Sequence, residues 1–291
     1  MNSNTGTKSY ARALTIAGSD PSGGAGLQAD LKTFSALGVF GTTAIVAVVD
    51  ENTQGVYGVH PIPDDFVAGQ IRSVLDDIGT DAIKIGMLHS APLIRTVLAT
   101  LRSYPDVRNI VLDPVMVATS GDPLLQPEAI GTLRDELIPY CRVITPNLPE
   151  AAMLLGHEIT RPEDMPDAAH DLSALYPGEK VSVMLKAGHF GLEAEAGERE
   201  LKAGDTLTDV FYNAESGRVS QLSSPLIDTR NTHGTGCTLS SAIAAHLALG
   251  YGLDEAVAKG KNYLAEALAA GAPYAIGRGH GPVNHFYALW K

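Results

Sequence analysis

Two glycine-rich stretches in this 291-residue chain carry residue types suited to handling an anion. In "HGTGCTLSSA" (233–242), Gly234, Thr235 and Gly236 run directly into a helix start, so several free N–H groups converge at the positive end of the helix dipole. Such a cluster can hold the charge that develops on a transferring phosphoryl group. Cys237 falls in the first turn, where the same dipole is expected to draw a thiol from its free value of about 8.5 toward neutrality. Taken alone, a cysteine on an Ala/Ser-rich helix favours a packed apolar residue. The second stretch, "GSDPSGGAGLQAD" (18–30), is a glycine turn between a predicted strand and a predicted helix. It lets backbone N–H groups approach a polar ligand, or it is simply a tight turn. Asp30, one turn into the helix, either answers the dipole or points a carboxylate at a ligand hydroxyl.

The remaining candidates lie where apolar runs end. Asp113 in "VLDPVM", Asn147 and Glu150 in "TPNLPEA", and Lys186 closing "VSVMLK" all follow predicted strands. Ligands of open α/β sheets bind beyond the carboxyl ends of strands. Two carboxylates off neighbouring strand ends suit Mg²⁺, which keeps several waters and needs few protein ligands; helix capping is the alternative for Glu150. A lysine at the end of a buried strand suits a phosphate, or else reaches solvent. No G-x-x-x-x-G-K-[ST] occurs, and Gly23, Gly24 and Gly26 have the wrong spacing for a dinucleotide fingerprint. The nine histidines show no metal-ligand spacing; His233, beside the glycine loop, is a candidate for orienting a ligand.

The elements that must position these groups alternate along the chain. Runs at 13–17, 42–49, 82–86, 109–117, 141–145 and 181–186 are apolar nearly throughout, as strands buried on both faces are. Helical spacing fills 26–37, 64–78, 91–103, 127–139 and 167–176. This βαβα order predicts a mainly parallel sheet with helices on both faces. The polar segment from about 190 to 224 is expected to be an insertion bearing an edge hairpin, followed by two helices, the second over 253–271. Without repeats or composition breaks, residues 1–291 are expected to form one domain behind a flexible leader at 1–11.

A net charge of −12 without a Lys/Arg cluster argues against nucleic acid, and no apolar run reaches the ~20 residues a membrane helix needs. Two cysteines and a polar N-terminus fit a reducing cytoplasm.

"ALTIAGSDPSGGAGLQADLKTFSALG", "KIGML", "VLDPVM", "SGDPLL", "TPNLPEA", "LKAGH", "NTHGTGCTLS" and "GPVNHF" resemble, in order, the hydroxymethylpyrimidine/phosphomethylpyrimidine kinases of thiamine biosynthesis. The resemblance implies a ribokinase-like three-layer fold and ATP-dependent phosphorylation of the pyrimidine's hydroxymethyl group, then of the monophosphate. It also implies Mg²⁺ and a homodimer, for which small-residue helix faces offer a surface. By position, Gly18, Asp30, Glu51, Met87 and Val115 would line the pyrimidine site. Lys186, with Asn147, Thr235 and Gly236, would meet ATP phosphates; Asp113 and Glu150 would serve the metal; Gly234 to Gly236 would form the anion hole. Cys237 would stand where related sugar kinases place a catalytic aspartate. As a base for the hydroxyl proton, it would matter more in the first phosphorylation than in the second.

Two positions depart from the family pattern. Glu51, in "DENT", replaces a glutamine expected to hydrogen-bond the aminopyrimidine, and Thr119 replaces a common lysine. The alternatives are a pyridoxal kinase of the same fold and, from a different class, a catalytically silent pyrimidine- or nucleotide-binding protein.

Overall fold

A computed structural model describes residues 8–116, 124–188 and 205–290; Thr119, the polar part of the expected insertion and the first residues of the leader lie outside them. In chain order the elements begin with β1 (Arg12–Ala17), α1 (Gly26–Ala36), β2 (Phe40–Ile45), β3 (Ala47–Asn52), β4 (Gly55–Pro61), α2 (Asp64–Asp77) and β5 (Ala82–Ile85). There follow α3 (Ala91–Leu101), β6 (Ile110–Leu112), α4 (Ala129–Thr132), β7 (Val143–Ile144), α5 (Leu148–Leu155) and α6 (Met165–Ala174). The chain closes with β8 (Ser182–Leu185), β9 (Thr206–Asn213), β10 (Arg218–Pro225), α7 (Thr235–Ala248) and α8 (Leu253–Gly271).

The apolar runs form one eight-stranded sheet in the order β10-β9-β8-β7-β6-β5-β1-β2. Pairing is parallel from β2 to β8, and β9 and β10 add the expected antiparallel hairpin at the edge. Side chains alternate between the faces, as strand geometry requires. Leu14, Ile16, Ile83, Ile85 and Leu112 face one apolar layer, packed under α2 to α6. Ala13, Ala82, Val111 and Met184 face the other, with Phe34 of α1 and the apolar sides of α7 and α8.

The predicted strand at 42–49 is two strands. β2 stays in the main sheet, whereas β3 leaves it after Val46 and pairs with β4 in a separate antiparallel ribbon, with a bulge between Asp50 and Glu51. β4 was not anticipated: "GVYGVHP" is mostly exposed, so it lacks the buried run that marked the others. The helix expected at 127–139 is broken, α4 passing into a π turn at Leu133–Leu137 and a 3₁₀ turn at Ile138–Tyr140.

The small-residue face of α7 is not available for dimerisation. Ala242, Ile243, Ala244 and Ala245 are fully buried, and Gly260 of α8 lies so close that a Cβ there would be 2.8 Å from Ile243 Cγ1. Small residues here serve helix-to-helix approach within the chain. Among the described residues no helix is long and apolar enough to cross a membrane.

Candidate active site

Every strand-end candidate emerges at the same edge of the parallel sheet. Gly18 follows β1, Met87 follows β5, Asp113 follows β6, Asn147 follows β7 and Lys186 follows β8. Lys186 and Asn147 also pair as an isolated parallel bridge, which carries the sheet one step past its regular strands.

One group of residues centres on Asp113, which is 1% exposed. Its Oδ1 accepts from Thr145 Oγ1 and from Lys186 Nζ, both at 3.1 Å. Its Oδ2 is buried and has no hydrogen-bond partner. Gly236 lies directly over this pair: a Cβ there would be 3.1 Å from Asp113 Oδ2 and 3.4 Å from Lys186 Nζ. The glycine stretch at 233–242 therefore does meet the strand-end charges. Burial works against the Lys186 ammonium, yet the charges of Asp113 and Glu150 outweigh it and hold the pKa above the ordinary value.

Glu150 is the capping residue that the sequence left as an alternative. Its Oε2 accepts from Asn147 N–H at 2.8 Å, and Asn147 Oδ1 accepts from Glu150 N–H at 2.8 Å, a reciprocal capping box at the start of α5. The carboxylate still lies 4.0 Å from Lys186 Nζ. Burial above all pushes its pKa up to about 7, against the Lys186 charge.

The second group surrounds the glycine turn at 18–30. Gly18 lies against the Met87 side chain: a Cβ there would be 2.9 Å from Met87 Cε, the tip of a flexible side chain. β3 runs alongside: Ser19 N–H donates to Ala47 O at 2.9 Å, and Val49 N–H donates to Ser19 Oγ at 3.1 Å. Glu51 lies further along the same ribbon, where a carboxylate oxygen of Glu51, one of Asp20 and a nitrogen of His233 lie within 4.8 Å of one another. Val115 follows Asp113 by two residues, half-buried, and packs against the larger apolar layer.

Asp20 was not singled out in the sequence, and it organises this corner. Its carboxylate accepts from Ser22 N–H (2.7 Å), Ser22 Oγ (2.9 Å), Gly24 N–H (3.0 Å) and Ala25 N–H (2.6 Å), and lies 2.8 Å from His233 Nε2. The spacing D-x-S-x-G-A inside a glycine turn was the available signal. His233 thereby joins the two glycine loops, its ring so close to Gly24 that a Cβ would be 2.5 Å from Cδ2. Gly234 next to it has φ +76° with its Cα facing the backbone of Gly24, so only glycine fits.

Two expectations are corrected. Asp30 does not line an open site: it is fully buried, accepting from Lys84 Nζ (2.9 Å to both oxygens), Thr15 Oγ1 (2.6 Å) and Ser241 Oγ (2.5 Å). It lies beneath the site and ties β1, β5, α1 and α7 together. Lys84, its partner, sits within the run that read as apolar and is 0% exposed. Cys237 does not carry a lowered thiol pKa either. Burial pushes it up to about 12, with the Asp30 and Asp113 charges adding to the rise; Lys84 and a hydrogen bond from Gly26 N–H oppose it without prevailing. Desolvation outweighs the helix dipole here.

Asp113 offers a fit for Mg²⁺: a buried carboxylate oxygen lacking a partner, beside a glycine with no side chain to fill the space. Glu150 fits less directly, because one of its oxygens is already committed to the cap.

The family model described as phosphomethylpyrimidine kinase matches residues 20–284. The chain belongs to the phosphomethylpyrimidine kinase family. A hydroxymethylpyrimidine/phosphomethylpyrimidine kinase of Escherichia coli (strain K12) is 45% identical over 279 residues, which cover 96% of this chain and 98% of that protein. A Bacillus subtilis pyridoxal kinase, solved as an ADP complex, superposes with a TM-score of 0.82 at 37% identity, covering 97% of this chain and 100% of the other. A Clostridium difficile phosphomethylpyrimidine kinase gives a TM-score of 0.73 at 39% identity, covering 88% and 98%. The chain's fold is thus shared by a pyridoxal kinase and a phosphomethylpyrimidine kinase.

Proposed function

We propose that the chain, as one kinase domain, phosphorylates 4-amino-5-hydroxymethyl-2-methylpyrimidine with ATP and then phosphorylates the monophosphate to the diphosphate, as in thiamine biosynthesis. The observation that carries this is the meeting of Gly236, Lys186 and the partnerless Asp113 oxygen at one sheet edge. Such a site supplies what phosphoryl transfer asks of a protein, positioning and charge stabilisation.

Lys186 and the N–H groups of Gly234, Thr235 and Gly236 hold phosphoryl oxygens, with Asn147 adjoining them. Mg²⁺, when bound, neutralises phosphate charge, and Asp113 is the residue that would hold it, with Glu150 beside it through water. Gly18, Met87, Val115 and Glu51 receive the acceptor ring, and Asp30 supports that floor from below. Cys237 stands between the two sides. Its half-buried, neutral thiol gives it a shaping role at the loop rather than that of a ready base.

The pyridoxal kinase reading is favoured by the superposition with the Bacillus subtilis enzyme. An ADP-release assay with hydroxymethylpyrimidine, its monophosphate and pyridoxal separates the two. Turnover of both pyrimidines is expected; turnover of pyridoxal alone overturns the reading, and ligand binding without ADP release points to the silent binder.

A further inference from the structure

Lys186 leaves the sheet where the regular ladder stops. The last registered pair between β8 and β9 is Leu185 with Val210. One residue further, Lys186 N–H donates to Pro146 O at 2.9 Å, on the side of β7. Successive backbone N–H groups of an extended chain point to opposite neighbours, so the next one, that of Ala187, faces β9. There it meets a side chain instead of a carbonyl: Asp209 Oδ1 accepts from Ala187 N–H at 2.8 Å. The other oxygen of Asp209, Oδ2, lies 2.7 Å from Lys261 Nζ of α8. Both charged residues are buried, Asp209 at 4% and Lys261 at 8% exposure.

A buried ion pair is a weak source of stability, because desolvating two charges offsets most of their attraction, and apolar residues of similar volume often hold a fold as well. What an apolar residue cannot do is accept the Ala187 N–H. That N–H lies in the peptide plane that follows Lys186 Cα, and Lys186 N–H lies in the plane that precedes it. Pro146 O holds one plane and Asp209 holds the other. With both planes fixed, the direction in which the Lys186 side chain leaves the backbone is fixed too. Its Nζ then ends 3.1 Å from Asp113 Oδ1, under Gly236.

We propose, on the reading that Lys186 holds phosphoryl oxygens, that Asp209 is a positioning residue for Lys186, with Lys261 keeping its carboxylate turned toward Ala187. The connection runs from α8 through Lys261 and Asp209 to the peptide after Lys186. The last long helix thereby aims a cation at the site, acting through the Lys186 backbone.

Two charge-free double variants of the full chain separate positioning from a plain link between α8 and β9. Asp209→Asn/Lys261→Met keeps an oxygen for the Ala187 N–H, and Asp209→Leu/Lys261→Met removes it. Both lack the ion pair, so their Tm values should agree within about 4 °C. With ATP and hydroxymethylpyrimidine, the Asn double should keep kcat within about threefold of wild type, and the Leu double should lose about 10- to 100-fold, as a displaced catalytic group does. KM for the pyrimidine should change less than about threefold in either. In a Lys186→Met background the two doubles should turn over alike, since the group being positioned is gone. Equal kcat in the two doubles, or a gap between them that persists without Lys186, overturns the inference. Should the Leu double fail to fold, amide exchange decides. The Ala187 N–H should exchange at least about 100-fold more slowly than a free amide in wild type and in the Asn double, and fast exchange in either overturns the inference. A wild type that phosphorylates pyridoxal alone overturns the proposed substrate instead, and the same variants are then compared on pyridoxal.

Discussion

Removing the Cys237 sulfur tests whether a half-buried, desolvated thiol can serve as the base of this site. At about pH 7, a thiol raised to about 12 must be ionised across five pKa units, a cost of about 7 kcal/mol. General-base catalysis contributes about 10²- to 10⁴-fold, or about 3 to 5 kcal/mol. The cost exceeds the gain, so the thiolate route loses and the sulfur acts through the shape of the loop that carries Gly234 to Gly236. Cys237→Ala should then slow both phosphorylations by a similar factor, roughly tenfold, as a small misplacement of the loop would. The assay is single-turnover quench flow, started once from hydroxymethylpyrimidine and once from its monophosphate. A first step slowed more than about 100-fold, with the second changed less than about threefold, would refute the reasoning and restore the proton-accepting role expected from sequence. Iodoacetamide labelling in a Cys141→Ala background gives an independent check. A thiol of this kind is ionised to about 10⁻⁴ at about pH 8, so its alkylation should lag far behind free cysteine, and a reactivity plateau near neutrality would contradict it.

Three further perturbations follow from contacts already described. Lys84→Met strands the Asp30 carboxylate among two hydroxyls, a loss of about 3 to 5 kcal/mol. Calorimetry should register this as a Tm fall of roughly 6 to 20 °C, with Lys84→Met/Asp30→Leu recovering at least about half. Double-mutant losses that simply add would show that the two residues do not act as a pair. Gly236→Ala should fold normally but lose about 10- to 100-fold in kcat, because its Cβ enters the space between Asp113 and Lys186; unchanged kcat would mean that this space is not used. His285, 4% exposed and held chiefly by burial at about 4, has a folded pKa below the unfolded value of about 6.5. Its stabilising contribution is therefore full above about pH 6.5 and lost as pH falls toward 4, by about 3 kcal/mol. Urea unfolding across that range should show a shallower pH slope in His285→Gln, and equal slopes would assign the loss elsewhere.

Much of the site could be read from the sequence because apolar strands end abruptly in polar residues. Asp113, Asn147 and Lys186 follow such ends, and a parallel sheet brings all strand ends of one sense to one edge. The edge hairpin and the last helix were equally visible, the first as short strands after a polar segment and the second as an uninterrupted helical pattern. Lys84 was hidden because one lysine in "AIKI" does not change the period, and its partner Asp30 is 54 positions away. β4 was hidden because an exposed ribbon leaves no buried run. The thiol of Cys237 was misjudged because the dipole is visible in the order of residues, whereas the burial that overrides it comes from packing against distant segments.

The contact between Asp20 and His233 spans 213 positions of the chain. During synthesis from the N-terminus, β1 through β8 are available well before the loop at 231–236 exists. The corner of Asp20, Glu51 and His233 therefore waits for the far end of the chain, and Asp20 lacks its imidazole until that end docks. The joining of the two glycine stretches is consequently among the last steps of the nascent protein's folding, and an incomplete chain that has already built its parallel core still lacks the loop that brings Gly236 over Asp113 and Lys186.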